Sequence, residues 1–172
     1  MNCVAYIGLG SNLAEPIQQV LQGIEDIKNL EHATINHISS LYQTPPMGPQ
    51  DQPHYVNAVV EISTSLKPLP LLACLQTIET QRGRTRDTGR WGARTLDLDI
   101  LLYEGTVSTD PILTLPHPGI ALRSFVLYPL NEINPQLHID GLGSISRMIR
   151  SLNEPCPSLI NTKNLDIHSP VW

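Results

Sequence analysis

"TPPMGPQDQPHYVNAVVEIST", residues 44–64, joins a segment that cannot pair in a sheet to one that alternates cleanly. Four prolines in residues 44–53 remove amide donors and fix φ, so this stretch is an exposed, semi-rigid loop. In residues 54–64, Val56, Ala58, Val60 and Ile62 fall on one face of a strand, with Tyr55 and Asn57 on the other. The segment before the loop, "ATINHISSLYQ" (33–43), is also β-rich, although its alternation is imperfect. Two strands therefore follow one another without the intervening helix that a doubly wound parallel sheet needs. A loop this long inside a compact domain reads as a binding loop or lid.

Outward from that stretch, strand and helix signals alternate. "CVAYIGL" (3–9) reads as a buried strand. Asn12 follows as a helix cap, with Glu15 three residues on and Pro16 in the first turn. Ile17, Val20, Leu21, Ile24, Ile27 and Leu30 then form one apolar stripe, predicting a helix over 15–30. A second helix runs from Pro68 to about Gln81, with Leu69, Leu72, Leu75 and Ile78 inward and Gln76 and Glu79 together on a neighbouring face. Gly83 can end it. A strand over 95–103, a hairpin near 105–113, a mixed segment over 115–133, a helix near 143–152 and an irregular tail over 153–172 complete the chain. The order predicts one α+β domain over 1–172, a ferredoxin-like sandwich whose mainly antiparallel sheet carries helices on one face.

Composition bounds the function classes. The chain has 172 residues and 41% hydrophobic content, enough for one core. A net charge of −5 argues against a surface that embraces nucleic acid or an anionic membrane, so any anion site must be local. Cys3, Cys74 and Cys156 share no metal-ligand or disulfide spacing. The N-terminus lacks a signal-peptide pattern, and no apolar run reaches membrane-spanning length. These features predict a soluble, cytoplasmic monomer.

The candidate chemistry lies in "GRWGARTLDLDI", residues 89–100. A period of two puts Leu96, Leu98, Ile100 and Leu102 on one strand face and Asp97 and Asp99 on the other. Carboxylates at alternate positions, about 6.6 Å apart along a strand, can lean together over hard cations, and magnesium suits oxygen ligands shared with phosphates. Residues 82–94 hold Arg82, Arg84, Arg86, Arg90 and Arg94 against one acid, Asp87, in an otherwise acidic chain. Guanidinium forks beside a metal-binding pair are what a polyphosphate requires, and Gly83, Gly89 and Gly92 make the stretch a loop able to close. "GLGSNL" (8–13) lacks the third glycine of a dinucleotide fingerprint, and no phosphate-binding G-x-x-x-x-G-K-[ST] occurs. A metal-dependent nucleotidyltransferase and a non-enzymatic module gripping a phosphate backbone are the alternatives. The first wants Ser11 much closer to Asp97, and the second is opposed by paired aspartates and an aromatic content of 5%.

Four segments, "YIGLGSNL", "YQTPPMGPQDQPHYVNAVVEIST", "IETQRGRTRDTGRWGARTLDLDILLY" and "LPHPGIALRSFVLYPL", together resemble the 6-hydroxymethyl-7,8-dihydropterin pyrophosphokinases of folate biosynthesis. The resemblance runs from about residue 4 to 135. It implies a ferredoxin-like α+β fold and magnesium-dependent transfer of diphosphate from ATP to the pterin hydroxymethyl group, releasing AMP. By position it implies that Asp97 and Asp99 hold two magnesium ions and, with Arg84 and Arg94, carry catalysis. It implies ATP contacts at Gln76, Glu79, Arg84, Arg86, Trp91, Arg94, Ile100, His117 and Arg123. Tyr55 and Phe125 would sandwich the pterin ring, while Asn57, Thr44 and Pro45 read its polar edge. Phe125 is the only phenylalanine in the chain.

Overall fold

The computed structural model of the chain describes residues 1–13, 15–45, 54–83 and 95–162. Its centre is an antiparallel sheet built from β1 (Cys3–Ser11), β2 (Ala33–Ile38), β3 (Tyr42–Thr44), β4 (Tyr55–Thr64) and β5 (Asp97–Tyr103). Strand β1 lies between β4 and β5, and β4 pairs on its far side with both β2 and β3. Helices α1 (Pro16–Lys28) and α2 (Pro68–Gln81) connect β1 to β2 and β4 to β5. Each of these connections joins parallel strands across one intervening strand, as the ferredoxin-like order requires.

Helices α1 and α2 cover one sheet face. Val20, Leu21, Ile24 and Ile27 from α1, Leu71, Leu75 and Ile78 from α2, and Ala58, Val60 and Ile62 from β4 share a single buried cluster. The α2 stripe is rotated from the predicted one: Leu71 is fully buried, whereas Leu69 is 53% exposed. Leucines at 69, 71 and 72 offer competing stripes, and the one continuing through Leu75 and Ile78 meets the sheet. The predicted Asn12 cap also fails. Helix α1 begins at Pro16 behind Glu15, without a side-chain cap, and Asn12 is fully buried at the end of β1.

The second face is not left to solvent, contrary to the prediction of helices on one side. A hairpin of β6 (Ser108–Asp110) and β7 (Leu113–Leu115) and a 3-10 turn (Ile120–Leu122) lead to α3 (Ser124–Ile133). A second hairpin, β8 (His138–Ile139) and β9 (Gly143–Ser144), precedes α4 (Ile145–Ser151). Val126, Leu127 and Leu130 of α3 and Ile145 and Met148 of α4 bury Tyr6, Val59 and Leu101. A bulge in β5 serves this second core. Ile7 pairs with Ile100 but Tyr6 with Leu102, which leaves Leu101 as the extra residue. The predicted alternation therefore holds for Leu96, Leu98 and Ile100, whereas Leu102 joins Leu101 on the second face and Tyr103 returns to the first. Within the predicted tail, β10 (Ser158–Leu159) pairs with β3 and closes that sheet edge. Among the described residues no helix is long and apolar enough to cross a membrane.

Candidate active site

The second sheet face carries apolar residues at one end and polar ones at the other. Asp97 and Asp99, at the start of β5, are both half-buried on this face. Their partners across β1 are Gly10 and Gly8, so no side chain rises beside either carboxylate from that strand. Gly10 in turn faces Asn57 of β4, and Asn57 faces Tyr42 of β3. Asp97 and Asn57 thus stand two strands apart, about 10 Å at ordinary strand spacing, over a glycine floor. A Cβ at Gly10 would lie 3.0 Å from Asn57 Oδ1, so glycine is what lets the Asn57 side chain settle there.

Asn57 is buried and its Nδ2 donates to Thr44 Oγ1 at 3.1 Å. Thr44 pairs with Tyr55, which is half-buried. Pro45 follows, exposed, where the proline-rich loop departs. The predicted ring-binding residues Thr44, Tyr55 and Asn57 therefore sit together on β3 and β4, with Pro45 directly after β3.

The rim opposite is built by the segment before α3. His117 donates its backbone N–H to Leu101 O at 2.8 Å, which ties this segment to the outer edge of β5. Its Nδ1 accepts from Gly119 N at 3.0 Å, so in the neutral ring the proton resides on Nε2. Burial pushes the His117 pKa below the ordinary histidine value; the Arg123 charge adds to this, and Asp97 opposes it. The Arg123 guanidinium lies over Gly119, where a Cβ would come within 2.7 Å of it, and its Cζ is 5.9 Å from the Phe125 ring centroid. His117, Arg123 and Phe125 accordingly form one wall.

On the other side, α2 presents Gln76 to solvent and keeps Glu79 only 4% exposed. Glu79 Oε2 accepts from Leu98 N at 2.9 Å, capping an edge amide of β5 between the two aspartates. This role was not legible in the helical spacing, because it depends on where β5 meets α2. Ile100 is 2% exposed within the core, so its side chain does not reach the open face and only its backbone is left to meet a nucleotide. Arg82, the first arginine of the basic stretch, is committed elsewhere. Its Nε and Nη2 bind both Asp26 carboxylate oxygens at 2.7 and 2.8 Å, tying α2 to α1. Arg84, Arg86, Arg90, Trp91 and Arg94 lie outside the described residues.

The donor set fits magnesium. Two carboxylates share a face opposite glycines of β1, and among the described residues no third His, Cys, Asp or Glu completes a protein-only cage. Such a cation fills its remaining positions with water and phosphate oxygens.

Comparison with known proteins bears on this arrangement. The family described as 7,8-dihydro-6-hydroxymethylpterin-pyrophosphokinase (HPPK) matches residues 6–135. The chain is 46% identical over 146 residues to the 2-amino-4-hydroxy-6-hydroxymethyldihydropteridine pyrophosphokinase of Haemophilus influenzae, spanning 85% of this chain and 91% of the relative. To the enzyme of the same name from Pseudomonas aeruginosa it is 44% identical over 153 residues, 88% of this chain and 91% of the relative. A crystal structure of wild-type Plasmodium falciparum HPPK-DHPS with pteroate has the same fold, with a TM-score of 0.69 at 15% identity over 88% of this chain and 42% of that longer one.

Proposed function

The chain belongs to the 7,8-dihydro-6-hydroxymethylpterin-pyrophosphokinase family, and from that premise we propose how its residues transfer diphosphate from ATP to the hydroxymethyl group of the dihydropterin in folate biosynthesis. The observation that supports the proposal is the row Asp97–Gly10–Asn57 across β5, β1 and β4; the proposal assigns its Asp97 end to the phosphates and its Asn57 end to the ring. Asp97 and Asp99 would hold two magnesium ions, which when bound neutralise the triphosphate and acidify the attacking hydroxyl.

In the reaction the hydroxymethyl oxygen bonds to the β-phosphorus, the bridging bond to the α-phosphate breaks, and its electron pair leaves with AMP. The chain's task is positioning and charge stabilisation. Tyr55 and Phe125 flank the ring, while Asn57, Thr44 and the backbone at Pro45 orient its polar edge. The neutral His117 ring donates from Nε2 to a phosphate oxygen and Arg123 meets another. Arg84 and Arg94 stabilise charge on the transferred group, Arg86 and Trp91 close over the nucleotide, and Gln76 and the Ile100 backbone line its nucleoside side, with the buried Glu79 holding β5 behind them. A carboxylate oxygen of Asp97 or Asp99 takes the hydroxyl proton. The same proposal takes the chain as a cytoplasmic monomer, and its net charge of −5 favours copies that repel one another in solution.

The test is incubation with ATP, magnesium and 6-hydroxymethyl-7,8-dihydropterin. AMP and the pterin diphosphate are the expected products, and formation of ADP would overturn the reading.

A further inference from the structure

We propose that β10 is a positioning element of the acceptor site: by pairing with β3 it holds Thr44, and through Thr44 the Asn57 amide, in register for the ring substrate. The inference rests on the functional reading above. The family match ends at residue 135, so β10 lies outside the stretch that defines the family.

Strand β3 is three residues long and, on its inner side, is held only by Tyr42, Gln43 and Thr44 against Asn57, Val56 and Tyr55 of β4. Directly beyond it the chain enters Pro45 and the proline-rich loop. A strand this short, carrying a long loop at its end, is prone to fray from one-sided pairing. The C-terminal segment supplies the second side. Ser158 pairs with Gln43, Leu159 with Tyr42, and Ile160 N donates to Leu41 O at 2.9 Å. Two contacts anchor the segment itself: Pro157 is buried, and Ile160 packs on the main core. Behind β3, Glu132 of α3 accepts from Ser40 N at 2.9 and 2.7 Å and from the Tyr42 hydroxyl at 3.2 Å. Both sides of β3 and its approach are therefore fixed, and the consequence falls on its last residue. Thr44 Oγ1 accepts from Asn57 Nδ2, so a displaced Thr44 frees that amide to rotate away from the orientation in which Oδ1 lies against Gly10.

The experiment compares Ile160→Pro with Ile160→Ala. Both remove the side-chain packing, but only proline removes the amide donated to Leu41. Loss of the pairing should raise the KM for the dihydropterin about five- to tenfold above that of Ile160→Ala, with kcat and the KM for ATP similar in the two. Equal dihydropterin KM values in the two variants would overturn the proposal. A second measurement needs no variant: coupling is reciprocal, so dihydropterin binding should slow hydrogen exchange at the Ile160 amide of the wild-type chain. Unchanged exchange on binding would likewise overturn it. Wild-type protein that makes no AMP would instead overturn the functional reading itself.

Discussion

Asp97 and Asp99 show how a two-residue period becomes a site. Alternation alone placed both on one face of a strand, and β1 then set Gly10 and Gly8 opposite them. Asp97→Ala should lower kcat/KM at least about 10²–10³-fold while dihydropterin binding, followed by fluorescence, is partly retained. Turnover within a fewfold of wild type would remove the carboxylate pair from the mechanism. His117 adds a pH signature. Its folded pKa lies below the unfolded value of about 6.5, so below that pH the unfolded chain binds the proton more readily than the folded one. This contribution to stability is complete above about pH 6.5 and is lost as pH falls toward the folded value. Denaturant titrations of the ligand-free protein at pH 7.5 and 5.5 should show the loss, and His117→Asn should diminish it. Strand alternation made legible that Asp97 and Asp99 share one face of β5 and that Tyr55 and Asn57 share one face of β4. Arg82 was not separable from its neighbours, because only the fold brings Asp26 to it.

At the scale of elements, β5 is held at its outer edge by groups from two distant segments. Glu79 reaches Leu98 N from α2, and His117 N reaches Leu101 O from the segment before α3. An edge strand that must hold two carboxylates in register gains from having its free amides and carbonyls occupied. Glu79→Ala leaves the buried Leu98 amide without this acceptor and should cost about 1–3 kcal/mol, lowering Tm by several degrees at about 2–4 °C per kcal/mol. Glu79→Gln keeps an acceptor oxygen and should recover much of that loss in the same melting experiment. The two helices over the main core were readable from their apolar spacing, although the α2 stripe turned out to be rotated onto Leu71. The β5 bulge was not readable, since nothing within "DLDILLY" distinguishes Leu101 from Leu102 until α3 and α4 offer the second face something to bury.

For the whole molecule, an acidic chain places five of its eleven lysines and arginines within residues 82–94, next in sequence to Asp97 and Asp99, and α1 and α2 on one side of the sheet and α3 and α4 on the other hold β5. Binding energy of a magnesium–nucleotide complex should therefore appear as folding stability. A non-hydrolysable ATP analogue at about 100 times its Kd adds about 2.7 kcal/mol and should raise Tm by about 5–10 °C in magnesium, with most of the shift lost in EDTA. A shift of equal size in EDTA would mean that the metal does not mediate nucleotide binding.

Local information determined much of this protein: the strand and helix periods, the proline loop that ruled out a parallel sheet, and the face shared by Asp97 and Asp99. All of these are set within windows of about ten to twenty residues, where backbone geometry and apolar spacing act directly. Tertiary structure decided the rest: that the second sheet face is buried, that Asn12 is interior instead of a cap, that Glu79 serves β5, and that a strand from the tail completes the edge at β3. Each of these is a contact between residues far apart in the chain, and the partner of a buried polar group or an open strand edge is chosen by the packing of whole elements, which no short window contains.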